Sequence, residues 1–266
     1  MKRITNEFKD LARRQIGFRV ISDARLRLTR VGSTLALRRR ETLEVNRVRA
    51  ILTRPPTALV ATIIPTYKRR DLLRRAVESV LHQSVTDQAV IVVDDGGGLP
   101  NLPNDPRLTA ISLSRNCGTV GMVRNVGIRI SESSFLAFLD DDNEWTPNHL
   151  EVSLAALAGG ADMTYTALQR VQPDGTPLGD AFTWPFHRQR LLNEKSVDAS
   201  TIVVKRRPGV VFSRVPRWLG EVPGADWELV FRLSRKMKTV HVPVVTVRYL
   251  VNPDSYYTTW RANAKR

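Results

Sequence analysis

Three consecutive carboxylates, Asp140, Asp141 and Asp142, stand directly behind an apolar run that reaches from Phe135 to Leu139. Carboxylates set side by side repel one another, and a shared cation relieves that repulsion. Oxygen ligands alone suit Mg2+ or Mn2+ better than zinc. The chemistry suggested is therefore a divalent ion that in turn holds a phosphate. The other reading is an acidic loop that caps the following helix, for which Asn143, Glu144 and Pro147 are suitable residues. The triplet alone leaves both readings open.

Three further clusters offer chemistry that belongs with a phosphate. Pro65-Thr66-Tyr67-Lys68-Arg69 combines an aromatic ring able to stack on a base with basic side chains able to meet phosphate oxygens. In Asp94-Asp95-Gly96-Gly97-Gly98 the glycines let the backbone approach a ligand, and a carboxylate can accept hydrogen bonds from a base or ribose. The alternative for this cluster is a tight acidic turn. Ser114-Arg115-Asn116-Cys117-Gly118, followed by Arg124-Asn125-Val126-Gly127, supplies guanidinium groups for the same pocket.

The elements that must position these clusters are short apolar runs alternating with helical stretches, the pattern of βαβ units and a mainly parallel sheet. Strands are predicted over 59–64, 89–93, 109–113 and 135–139, with helices over 71–82 and 121–130. A helix over 147–158 is predicted to start with Pro147 in its first turn. Residues 162–168 and Val171 flank Gln172-Pro173-Asp174-Gly175, a hairpin signal. Strands over 201–204 and 244–249 enclose a helix over 227–236. Each cluster then follows a strand and precedes a helix, at the carboxyl ends where open α/β sheets bind ligands.

The bulk numbers narrow the class. A chain of 266 residues with 42% hydrophobic content can build one large domain, or one domain with an appendage. No apolar run approaches the ~20 residues of a membrane span, and the start lacks the apolar core of a signal peptide, so the expected location is the cytoplasm. Cys117 is the sole cysteine, which excludes an intramolecular disulfide and a cysteine-built zinc site. The net charge of +15 asks for an anionic partner. Residues 1–57 hold fifteen Lys and Arg against five Asp and Glu, so ten of the surplus charges lie in about a fifth of the chain.

That basic segment reads as a helical extension closed by the linker Thr53-Arg54-Pro55-Pro56-Thr57. Ile21, Ala24, Leu28, Val31 and Leu35 recur at steps of three and four, as do Val45, Val48 and Leu52. One reading is an amphipathic helix on an anionic membrane surface at the inner face of the cell membrane. The other is a helical extension that docks on the main domain or on a second copy. The domain plan is 1–57 for this extension and linker, 58–260 for the α/β domain and 261–266 for a basic tail.

VATIIPTYKR, AVIVVDDGG, LSRNCGTVGMVRNVGI, FLAFLDDDNEW and GADWELVFRL occur in that order between about residues 59 and 233. On these motifs the chain resembles a family 2 glycosyltransferase with the GT-A fold, over roughly two thirds of its length. The resemblance implies that Pro65, Thr66 and Tyr67 line the nucleotide site, that Asp95 contacts the base and that Arg124 lies beside it. It puts Asp141 on the ribose and Asp142 on the metal that bridges the diphosphate. Asp226 matches the catalytic base. Two departures stand out. Ala225 precedes Asp226 where the family often has a second acid, which leaves Glu228 as substitute, and Asn252 stands where many members carry a metal-binding histidine.

What the resemblance implies is an inverting transfer of a sugar, most often from a UDP-sugar, to an acceptor hydroxyl such as that of a cell-envelope glycan or glycolipid, with Mn2+ or Mg2+ as cofactor. A single carboxylate then suffices, because the metal stabilises the departing diphosphate. The alternatives are a sugar-phosphate nucleotidyltransferase, disfavoured by Pro-Thr-Tyr where a glycine-rich phosphate loop would stand, and a non-catalytic membrane or nucleic-acid binding protein. Nucleic acid is the less favoured partner. Trp184, Phe186, His187 and Trp218 are candidates for the acceptor side only because they are aromatic or polar in a region without a shared motif.

Overall fold

The structure is a computed structural model that describes residues 16–194, 197–217 and 224–251. Eight strands form a single mixed sheet in the order β3-β2-β1-β4-β7-β6-β8-β5. They are β1 Val60–Thr66, β2 Gln88–Asp94, β3 Leu108–Ser112, β4 Phe135–Phe138, β5 Asn143–Trp145, β6 Met163–Val171, β7 Ile202–Lys205 and β8 Thr239–Leu250. β2, β3 and β4 join β1 in a parallel block, and β6 pairs parallel with β8. Only β5 and β7 run the other way, so the mainly parallel sheet expected from the sequence is present.

β1 and β2 are buried at every position, as strands covered by helices on both faces must be. Alternate residues feed two cores. Ile63, Ile91, Val93 and Phe138 face the helices α2 (Val31–Ile51), α4 (Val120–Ile130) and α6 (Ala225–Leu233). Ile64, Val90, Val92 and Leu139 face α3 (Arg70–Leu81) and α5 (His149–Ala158). α4 lies close enough to β1 that a Cβ on Gly127 would stand 2.7 Å from Ile63 Cγ2, so no larger residue fits there. The chain order reverses at β1, with β2 and β3 on one side and β4 on the other. That makes the carboxyl ends of β1 and β4 the switch point where ligands enter such sheets.

The basic extension is helical and docked. α1 (Phe18–Thr29) and α2 are separated by Arg30 alone. Val45 and Val48 of α2 are fully buried in the first core, a contribution of about 1.5–3 kcal/mol each. Glu41 is also fully buried and accepts from four donors: Arg214 Nε and Nη2 at 2.6 Å each, Asn125 Nδ2 at 3.0 Å and Arg129 Nη1 at 3.2 Å. The stripe Ile21, Leu28, Val31, Leu35 does not take part in this docking and points outward, with Leu28 78% exposed.

Four local expectations are corrected. Pro147 is not in a helix, since α5 begins at His149 behind Asn148, and Asn143 and Glu144 belong to β5 rather than to a cap. A strand so short and polar holds because it pairs with β8, and Asn143 Oδ1 accepts from Leu250 N at 3.1 Å. The helix expected over 227–236 runs over Ala225–Leu233, so Asp226 sits inside its first turn rather than ahead of it. The turn at 172–175 forms, with Gln172 N donating to Thr176 O at 2.8 Å, but the returning chain makes only isolated bridges to β6 and no second strand.

Candidate active site

β1 ends at Thr66, and the loop that follows brings four of the singled-out residues together. Thr66 Oγ1 donates to Asp141 Oδ2 at 2.7 Å. Arg69 Nη1 then reaches both Asp141 Oδ1, at 3.1 Å, and Asp142 Oδ2, at 2.8 Å. Burial disfavours the charge on Arg69, but Asp141 and Asp142 outweigh it and hold the guanidinium charged. Between them lies Lys68, a non-glycine residue with φ of +57°. Such left-handed backbone costs about 1 kcal/mol or more, and it concentrates where loops serve ligands. Tyr67 is half exposed at the rim, and the Lys68 ammonium stands 5.2 Å from its ring centre. Pro65 is buried in β1 and supports the loop from below.

The acidic loop is held from the other side by the short turn Ala199–Thr201. Ser200 Oγ accepts from Asp140 N at 3.2 Å and from Asn143 Nδ2 at 2.9 Å, and Ser200 O accepts from Trp145 Nε1 at 2.7 Å. Asp140 pairs with Arg124, whose guanidinium is buried and lies 4.8 Å from the Phe212 ring centre. Burial pushes the Asp142 carboxyl up to about 7, helped by the neighbouring Asp140 and Asp141 charges. Asp141 is raised as well, by burial first, with Arg69 and Thr66 opposing.

These carboxylates fit a hard cation. Their donors are all oxygen, their own repulsion and burial disfavour the anionic form, and the Arg69 guanidinium already stands in as the positive charge between two of them. Among the described residues no group of three His, Cys, Asp or Glu is arranged to hold a metal ion. A divalent ion at Asp142 would therefore complete its shell with water or with ligand oxygens. Asn252 and Trp218 lie outside the described residues.

The second loop behaves as a paired device. Asp94 makes the tight acidic turn, accepting from Gly97 N at 3.0 Å, Gly98 N at 2.9 Å and Ser112 Oγ at 2.5 Å. Asp95 reaches the neighbouring loop, where it accepts from Cys117 N at 2.7 Å and Gly118 N at 3.0 Å. Both of its oxygens are thus engaged with backbone, and the Cys117 side chain is a further partner. Burial pushes the Asp95 carboxyl up, against these bonds. The basic extension braces this loop: Arg40 Nη1 donates to Asn116 O at 2.9 Å, and Glu44 Oε1 accepts from Ser114 N at 3.1 Å.

Asp226 is half buried on the first turn of α6, where Trp227 N donates to its Oδ1 at 2.8 Å. Burial opposes the Arg124 charge, but Asp140, Asp226 and Asp198 together hold it on. Asp226 therefore shares one electrostatic pocket with the acidic loop. Glu228, the substitute acid, lies elsewhere. It is buried and held by Arg27 Nη2 at 2.7 Å and Arg232 Nε at 2.8 Å, which makes it a structural anchor between α1 and α6. His187 and Trp184 are exposed, and Phe186 packs edge-on against Tyr165 with ring centres 6.2 Å apart.

Sequence reasoning placed Asp140 in the acidic triplet but not its pairing with Arg124, and left Asp198 and Ser200 without roles, along with Arg69 as the ion-pair partner of the triplet and the bracing pair Arg40 and Glu44. Arg69 carries a signal, since it follows β1 within the same cluster. Asp198, Ser200, Arg40 and Glu44 have none, because their partners lie far away in the chain.

The model of the family described as "Glycosyl transferase family 2" matches residues 61–204, more than half of the chain. The chain is 28% identical over 157 residues to a chondroitin synthase of Escherichia coli, covering 56% of this chain and 22% of that protein. To the succinoglycan biosynthesis protein ExoW of Rhizobium meliloti it is 35% identical over 102 residues, covering 35% and 32%. The chain thus spans a third or less of the length of these two relatives. Among solved structures, Staphylococcus aureus TarS 1-349 in complex with UDP-GlcNAc superposes with a TM-score of 0.58 at 17% identity, over 75% of this chain and 60% of that one. The sheet order, the acidic loop at its switch point and the family match agree, and the chain belongs to glycosyl transferase family 2, with a GT-A fold.

Proposed function

We propose that the protein is an inverting glycosyltransferase that moves a sugar from a nucleotide-activated donor, with a UDP-sugar favoured, to a hydroxyl of a glycan acceptor. The observation that carries this reading is the acidic loop at the sheet's switch point, where Thr66 and Arg69 hold Asp141 and Asp142 and Asp140 pairs with Arg124, with the Asp226 charge acting on the same guanidinium. This arrangement brings a carboxylate on a helix N-terminal turn next to an acidic loop suited to a diphosphate and its counter-ion. The names of relatives that act in polysaccharide synthesis support a polysaccharide acceptor.

In this reading Tyr67 stacks on the base, and Asp95 orders the loop over which the nucleotide lies. Asp141, fixed by Thr66 and Arg69, accepts from the ribose. Asp142 holds Mn2+ or Mg2+, which when bound neutralises the diphosphate. Arg69 and Arg124 supply fixed positive charge on either side. As the acceptor oxygen bonds to the anomeric carbon, the bond to the diphosphate oxygen breaks and its electron pair leaves with the diphosphate. Asp226 takes the acceptor's proton. One face is attacked while the opposite one is vacated, so the configuration inverts.

The direct test is a panel of nucleotide sugars, scored for hydrolysis and for thermal stabilisation with and without Mn2+. Stabilisation by UDP or a UDP-sugar that requires Mn2+ is the expected result. A panel in which no nucleotide stabilises the protein would overturn the assignment.

A further inference from the structure

α1 and the start of α2 carry an apolar line that nothing among the described residues covers. Ile21, Ala24, Leu28, Val31 and Leu35 alternate in steps of three and four, which places them along one side of the helices. Ile21, Leu28, Val31 and Leu35 are 38%, 78%, 53% and 50% exposed. The docked side is different: Asp23, Leu26, Glu41, Glu44, Val45 and Val48 are its buried residues. Packing on the domain is thus complete without the line. An open apolar hollow of about 490 Å3 lies along its first half, between Ile16, Val20, Ala24 and Leu28.

The rim of the line is basic. Arg25, within one helical turn of Ile21 and Leu28, is exposed, as are Arg38 and Arg39 just past Leu35, and none of the three makes an ion pair among the described residues. Within residues 16–40 the single acidic residue is Asp23, which is buried and engaged by Arg27 and Arg217 at 2.6 Å each. A second copy of this chain would bring like charges together along the seam, which disfavours a self-association of these faces. A surface that is apolar beneath and anionic above satisfies both features. A bilayer with acidic headgroups is such a surface.

We propose that this line is a membrane-docking face that lies flat in the interface of an anionic bilayer, with Leu28, Val31 and Leu35 inserted among the acyl chains and Arg25, Arg38 and Arg39 at the phosphates. The face lies along the membrane and does not cross it, as no helix among the described residues is long and apolar enough to span one.

The test uses the full chain and vesicles of phosphatidylcholine with about 30 mol% phosphatidylglycerol, compared with phosphatidylcholine alone. Co-sedimentation with the anionic vesicles is expected to be about tenfold or more stronger, and to weaken in about 0.5 M NaCl as screening shortens. Leu28→Glu with Leu35→Glu should lower binding about tenfold or more while leaving the melting temperature in place, because both side chains are exposed. If that variant fails to fold, Arg38→Gln with Arg39→Gln is the substitute, and it should lose binding to anionic vesicles only. Binding unchanged in the folded variants overturns the proposal. So does wild-type protein that ignores anionic vesicles, or a dimer in light scattering that the Leu28 and Leu35 changes dissolve without any vesicle dependence.

Discussion

Glu41→Ala should destabilise the protein by about 3–5 kcal/mol, the range for removing one partner of a buried charge cluster. The size follows from what is left behind. Glu41 has no exposure and receives two bonds from Arg214, one from Arg129 and one from Asn125. Arg129 and Arg214 have side chains 32% and 20% exposed and can recover some hydration, which keeps the cost from rising further. Asn125 is fully buried and already exchanges two bonds with the Phe212 backbone, so its lost donor cannot turn elsewhere. For a chain of this size 1 kcal/mol moves the melting temperature by about 2 °C, so a fall of about 6–10 °C is expected. Urea unfolding gives the free energy directly, and a double cycle with Arg214→Ala should return a coupling of at least about 1.5 kcal/mol. Because the cluster is buried, raising the salt should leave this coupling nearly unchanged. A loss below about 1 kcal/mol, or a coupling removed by salt, would refute the idea that Glu41 clamps the basic extension to the domain.

The other predictions concern chemistry and pH. Asp142→Asn should remove Mn2+-dependent UDP binding and turnover while the fold survives; titration calorimetry with unchanged UDP affinity in Mn2+ would remove the metal assignment. Asp226→Asn should keep its melting temperature and its nucleotide affinity while sugar transfer falls about 10²-fold or more, and near wild-type transfer would strip Asp226 of the base role. His149 is fully buried, stacked on Trp145 at 4.0 Å and bonded to Thr246 Oγ1 at 2.7 Å, and burial pushes its pKa down from 6.5 to about 3. The unfolded chain then binds the proton first, so this group's contribution is lost progressively from about pH 6.5 towards pH 3, by up to about 1.4 kcal/mol per pH unit. His149→Gln should flatten the fall in melting temperature between neutral pH and pH 5, and an equal fall in both proteins would contradict the assignment.

The parts of this fold that could be read from the sequence are those fixed by local pattern. The continuous apolar runs of β1, β2 and β4 identified buried parallel strands, and the position of the acidic triplet after one of them indicated the binding end of the sheet. β5 could not be read, because Asn143-Glu144-Trp145 is a strand only through its pairing with β8 and the bonds of Asn143 to Ser200 and Leu250. The docking of the extension stood open beside the membrane reading for a similar reason. Val45 and Val48 gave a helical period, but nothing local marks Glu41 and Glu44 as buried, because their partners Arg214, Asn125 and Ser114 come from distant positions. The more regular stripe, Ile21 to Leu35, turned out to face away from the domain.

α1 touches two worlds at once. Leu28 projects outward from it, while Arg27, the adjacent residue, holds Glu228 on the helix that carries Asp226. Two ligands that act on one rigid element are thermodynamically linked, and the coupling is reciprocal. If a shift of α1 from outside changes the affinity at the Asp226 end by some factor, occupancy of that end changes the hold on the outside by the same factor. Catalysis and anchorage would then be read out in a single measurement: the concentration of surface needed for half-saturation should depend on whether donor and acceptor are present.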